Sequence, residues 1–171
     1  PDWSILATDI SHRVLLSAKE GVYPVDRLRA VSPERLRRYC LRGEGPSEGQ
    51  VMVSEKLRQR VQFGQLNLCK PFSGLGPFDV IFLRNVLIYF DAATKREVVD
   101  RVLTALKPGG SLHIVDFGQQ EQLPKWFRTL LQAWLTRFHV TPRANLRYVL
   151  ANMAGRFDGN LEFEEIARGY A

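Results

Sequence analysis

Short apolar runs and amphipathic helical stretches take turns along this chain, and three of the apolar runs stop on a polar side chain. Ser4 to Asp9 is the first, brief enough for a buried strand and closed by a carboxylate. Ser11 then stands as the N-cap of a helix running to about Ala18, and Gly21 stops it. Val61 to Asn67, Phe78 to Leu83 and Ser111 to Phe117 are strand-like in the same way. Thr94 to Leu106 sets Val98, Val99, Val102, Leu103 and Leu106 on one helical face, and Lys107-Pro108-Gly109-Gly110 ends it. Strands that alternate with helices pack as a largely parallel sheet with helices on both faces, so the expectation is an α/β fold.

One stretch departs from that rhythm. Ser32 and Pro33 open a helix that runs to about Tyr39, with Ser as N-cap and Pro at the first helical position. Arg42 to Gly49 is rich in turn residues, and Gln50 to Val53 reads as a short strand. The expectation is a small antiparallel hairpin insertion at about 40–62. From Leu123 onward the pattern is mainly helical, and Trp126, Leu130, Trp134 and Phe138 recur at a spacing that suits packing on the sheet.

The bulk properties narrow the function classes. A chain of 171 residues suits one domain, here 1–171, with a sizeable core. No apolar run reaches the roughly 18 residues of a membrane span, and no basic-then-apolar leader opens the sequence, so the expectation is a cytoplasmic protein without direct membrane insertion. Cys40 and Cys69 lack metal-ligand spacing and read as buried thiols, and no metal site is expected. The net charge of +6 is concentrated in Arg27, Arg29, Arg35, Arg37, Arg38 and Arg42. No nucleic-acid-binding motif accompanies them, so nucleic acid is not an expected partner. A solvated helix face is the plainer reading and a docking surface for an acidic protein the next.

In an open α/β sheet, ligands bind beyond the carboxyl ends of the strands, which singles out the polar residues there. Asp9 is able to accept both hydroxyls of a ribose, although acids at such positions also cap helices. Asn67 offers an amide for the polar edge of a nucleoside, and Leu68 beside it an apolar surface for a base. Arg84 and Asn85 close the third run, with Tyr89 just beyond. Asn85 alternatively caps the following turn, and Tyr89 alternatively is a packed aromatic with a hydrogen-bonded hydroxyl.

Arg84-Asn85-Val86-Leu87-Ile88-Tyr89-Phe90-Asp91 closely resembles the RNVxIYFD signature of CheR-type chemotaxis receptor methyltransferases. Ala7-Thr8-Asp9-Ile10, Gly21-Val22-Tyr23, Val61-Gln62-Phe63 leading to Asn67-Leu68, and Phe78-Asp79-Val80-Ile81-Phe82 agree with it in order. The resemblance covers roughly residues 4–112. It implies a Rossmann-like class I methyltransferase dependent on S-adenosylmethionine (SAM), which leaves as S-adenosylhomocysteine. It further implies that Asp9 holds the ribose, that Asn67 and Leu68 line the adenine, and that Arg84, Asn85 and Tyr89 stand at the methyl donor and the incoming glutamate carboxylate. Arg84 and Tyr89 would be the catalytic pair. The implied partners are the cytoplasmic helices of chemoreceptors and, at the Gly43–Val53 insertion, a receptor's C-terminal peptide. At Met52 the peptide-docking members usually carry an arginine.

Two departures qualify the resemblance. The family's glycine-rich SAM loop, first strand and helical N-terminal domain precede the equivalent of Asp9 and are expected to be missing here, leaving a gap in the sheet. After Leu112, the run His113 to Gly118, with Phe138 to Arg143 and Arg168 to Ala171, is similar instead to another class I SAM methyltransferase. A methyltransferase of different substrate and a catalytically silent peptide-binding remnant are therefore the alternatives.

Overall fold

The computed structural model describes residues 2–115, with Ala151 and Glu162. It divides into two compact units, Pro1–Asn67 and Leu68–Ala171.

In the first unit, β1 (Ile5–Asp9) and β5 (Val61–Gln65) lie parallel, in register from Ile5 opposite Val61 to Asp9 opposite Gln65. Parallel neighbours need a crossover, and α1 (His12–Glu20) begins it. Ser11 caps this helix by accepting the Val14 N–H at 3.4 Å. Gly21 ends it in the left-handed conformation, φ 68°, with its N–H on the Ala18 carbonyl. A Cβ at Gly21 would stand 2.7 Å from the Arg58 side chain, so both backbone and space favour glycine.

Between α1 and β5 lies a three-stranded antiparallel sheet in the order β2 (Val22–Pro24), β4 (Gln50–Val53), β3 (Cys40–Arg42). The expected antiparallel insertion exists, but it starts at Val22 rather than near residue 40. Val22-Tyr23-Pro24 is too short to show a period, and its proline sits at a sheet edge, where a missing N–H is tolerated. The helix α2 (Pro33–Tyr39) is capped by Ser32 as expected, and the single-turn α3 (Glu55–Arg58) leads into β5. Val51 on central β4 is buried.

In the second unit, β6 (Phe78–Arg84) and β7 (Leu106–Val115) are parallel, with Val80 opposite Ser111 and Arg84 opposite Val115. The crossover helix α4 (Ala92–Thr104) starts on Asp91, whose side chain accepts the Thr94 N–H at 2.8 Å. Its apolar stripe does not extend to Leu106, which already pairs with Phe78 in β7. Lys107 to Gly110 is accordingly an irregularity inside the strand, spanned by the Phe78 N–H on the Ala105 carbonyl at 2.8 Å and by Lys107 on Asp79 at 2.7 Å. Inward-facing Leu83 meets Leu87, Val98, Val99 and Val102 in the core of this unit, and Leu68, Phe72, Ile81, Leu112 and Ile114 pack around them.

Among the described residues the parallel strands form two pairs, β1–β5 and β6–β7, where a largely parallel sheet with a gap in it was expected. Cys40 is half-buried and Cys69 exposed, which corrects the reading of both as buried thiols. The end of the strand expected to reach Phe117 and the helical stretch from Leu123 with Trp126, Leu130, Trp134 and Phe138 lie outside the described residues. No described helix is long and apolar enough to cross a membrane.

Candidate functional site

Asp9 is the last residue of β1 and is half-buried. Its Oδ1 accepts the Ser11 N–H at 2.7 Å, so the carboxylate both turns the chain into α1 and is held in a fixed orientation. The helix-capping role and the ligand role were alternatives in the sequence. The capping contact is made through one oxygen, and the other has no partner among the described residues.

Asn67 does not close β5. The strand stops at Gln65, and Asn67 lies two residues on, half-buried in the following segment. That segment is tied down locally, with the Leu66 N–H on the Asp9 carbonyl at 3.1 Å and Gln65 Nε2 on the Ile10 carbonyl at 2.9 Å. Gln65 was not singled out from the sequence. Its position directly opposite Asp9 follows from strand register, which a single sequence does not reveal.

Leu68 belongs to the second unit, in the turn after Asn67. Its side chain packs on the edge of the Leu87–Val98–Val99 core, and its carbonyl accepts Arg101 Nη1 at 2.7 Å. A leucine anchored from both ends presents a fixed apolar surface.

Arg84 is the last residue of β6 and is exposed, as the neighbouring Leu83 is not. Asn85 follows with φ 52°, a left-handed conformation that asparagine tolerates better than most residues, and its N–H reaches the Val115 carbonyl at 2.8 Å. Val86 occupies the N-cap position of the 3-10 turn at Leu87–Tyr89, and among the described residues the Asn85 side chain makes no hydrogen bond to that turn. The asparagine therefore bends the chain out of β6 rather than capping what comes next. Within the turn, Leu87 is fully buried and Tyr89 is 59% exposed. Tyr89 is not the packed aromatic that was its plainer alternative. Arg84 and Tyr89 are thus two exposed polar groups at one strand end, a cation with a planar fork of donors and a phenol.

Leu68, Arg84, Asn85 and Tyr89 lie in the second unit, and Asp9 and Asn67 in the first. A groove lined by Lys19, Arg58 and Phe63 lies at the other end of β5 and contains none of them.

Comparison with known proteins adds the following. The family described as CheR methyltransferase, SAM binding domain, matches residues 1–136, which carries the likeness past Leu112, where the sequence reading broke it off. The chemotaxis protein methyltransferase of Salmonella typhimurium is 44% identical over 111 residues, 64% of this chain and 38% of that protein. That of Escherichia coli is 43% identical over 124 residues, 70% of this chain and 43% of that protein. Chemotaxis protein methyltransferase 1 of Pseudomonas aeruginosa is 46% identical over 111 residues, 64% of this chain and 39% of its own. The chain spans about two fifths of the length of these curated relatives.

Proposed function

The chain belongs to the CheR family of methyltransferase SAM-binding domains, and from that premise we propose that it serves methyl transfer from SAM to glutamate carboxylates of chemotaxis receptors. The observation that carries the reading is the end of β6, where Arg84 and Tyr89 stand exposed, separated by a bend and a turn that bury Leu87.

The residues fit the parts assigned to them. Asp9 keeps one carboxylate oxygen open for ribose hydroxyls while the other is fixed by Ser11. Leu68 offers an anchored apolar face for adenine, beside the amide of Asn67. Bound SAM supplies a sulfonium methyl, which a carboxylate oxygen takes as the carbon–sulfur bond breaks and its electron pair returns to sulfur, giving a methyl ester and S-adenosylhomocysteine.

An unperturbed glutamate titrates near pH 4.3, so the acceptor arrives ionised at neutral pH and no general base is needed. What the protein contributes is alignment of the reacting atoms and exclusion of water. The Arg84 fork orients the carboxylate, held loosely enough to leave one oxygen nucleophilic, and the Tyr89 hydroxyl places it. Asn85 acts on the backbone, setting the angle at which the chain leaves β6.

The acceptor helices of such receptors are cytoplasmic, and the reading places this protein there with them. The three-stranded antiparallel sheet supports a second contact, with a receptor's C-terminal peptide. Central β4 already pairs on both sides, so an added strand would use an outer one, and Arg42 on outer β3 is exposed and able to meet an acidic peptide.

Arg84→Lys tests the assignment in the full protein. Lysine keeps the charge and loses the planar fork, so turnover falls by roughly tenfold or more while affinity for S-adenosylhomocysteine changes little. Equal losses in turnover and affinity would make Arg84 a cofactor or scaffold residue instead.

A further inference from the structure

The carbonyl of Leu68 belongs to no helix or strand, and a backbone acceptor in a half-buried turn needs a donor. It receives one from 33 residues away: Arg101 Nη1, at 2.7 Å. The same guanidinium reaches Glu97 Oε2 through Nη2, also at 2.7 Å. Glu97 and Arg101 are one helical turn apart on α4, with the acid on the N-terminal side, the favourable order for such a pair. The Arg101 side chain is only 24% exposed, against 63% for Glu97, so the arginine is the inner member and the glutamate steadies it from the rim.

We propose that Arg101 is a positioning residue for the nucleoside part of the cofactor, acting through Leu68. This rests on the reading of Leu68 as a residue that lines adenine. The turn at Leu68 is fixed from two directions. The leucine side chain is held by the core around Leu87, Val98 and Val99, and its carbonyl is held by a charged donor on α4. With both restraints present, the remaining surface of the turn has one orientation, and a flat base meets it without paying to order it. With the Arg101 restraint removed, the core contact still holds the side chain, but the peptide plane after Leu68 is free to rotate. Binding then includes the cost of stopping that rotation. Arg101 touches neither the methyl group nor the acceptor carboxylate in this scheme, so its loss acts on affinity and not on the chemical step.

The test is calorimetric titration of the full protein with S-adenosylhomocysteine, comparing Arg101→Met and Arg101→Lys with the unaltered chain. Methionine fills much of the space and removes the donor. Lysine keeps a cationic donor able to reach one carbonyl. One charge-assisted hydrogen bond is at stake, so Arg101→Met is expected to weaken binding roughly tenfold. Arg101→Lys recovers most of that loss, and kcat at saturating SAM stays within about twofold in both. Irreversible misfolding of a variant lowers the binding stoichiometry, whereas reversible unfolding raises the apparent dissociation constant by the reciprocal of the folded fraction. Denaturant unfolding of each variant gives that fraction, and a loss of affinity beyond it distinguishes positioning from a purely structural role. Unchanged affinity in Arg101→Met, or a loss that Arg101→Lys does not recover, overturns the proposal while leaving the cofactor reading in place. Absence of binding by the unaltered protein overturns both.

Discussion

Asp79 and Lys107 show what one exposed pair does at a difficult point in the chain. Their ion pair spans the irregular start of β7, and the hydrogen bond from Lys107, reinforced by its charge, holds the Asp79 carboxyl below its ordinary value. A carboxyl lowered on folding stabilises the protein above its unfolded pKa, and that contribution disappears as pH falls through the folded value. Because the pair is exposed, water and salt screen it, and its effect is small. Thermal midpoints of the unaltered protein and Asp79→Asn are therefore expected to differ slightly near neutral pH and to converge below about pH 4. Curves that stay parallel into acid would show that the pair does not contribute. At the same scale, Asp9, Arg84 and Tyr89 were legible as strand-end polar groups before any coordinates. What was not legible was how Asn85 works, because a left-handed φ leaves no mark beyond the residue's tolerance of it.

The elements that the sequence made plain are those with chemical punctuation. Ser11, Ser32 and Gly21 mark helix ends, and each acts as a cap in the structure. The elements misread are those where pairing overrides local pattern. Lys107-Pro108-Gly109-Gly110 looks like a helix stop and a loop, yet parallel pairing with β6 begins before it and resumes after it. Asp91 caps α4 ahead of the first residue that periodicity picked out. The Arg84–Asp91 signature also has a packing half that motif reading passes over. Leu87 has no exposed surface and lies against Val98 and Val99, so one turn both presents Tyr89 and locks onto α4. Leu87→Ala removes buried methyl groups and leaves a cavity, at an expected cost of about 2–5 kcal/mol. Denaturant unfolding measures it, and a loss under about 1 kcal/mol would mean the turn is not anchored through this residue.

At the scale of the whole molecule, alternating strands and helices yield two parallel pairs and one antiparallel sheet within the described residues. Composition and charge narrowed the classes without naming a function, and among the described residues the arginine-rich stretch from Arg27 to Arg42 makes one ion pair, Arg29 with the preceding Asp26. The family was legible from motifs in order rather than from bulk properties. The family match extends it across residues 1–136. The most direct test of the central claim follows the methyl group itself. The full protein is incubated with SAM labelled on its methyl carbon and with the cytoplasmic fragment of a chemoreceptor, and the label is then released by mild alkali. The reading predicts base-labile label on receptor glutamates, lost when those glutamates are replaced by alanine. Label on another acceptor, or none from a folded protein that binds S-adenosylhomocysteine, would contradict it.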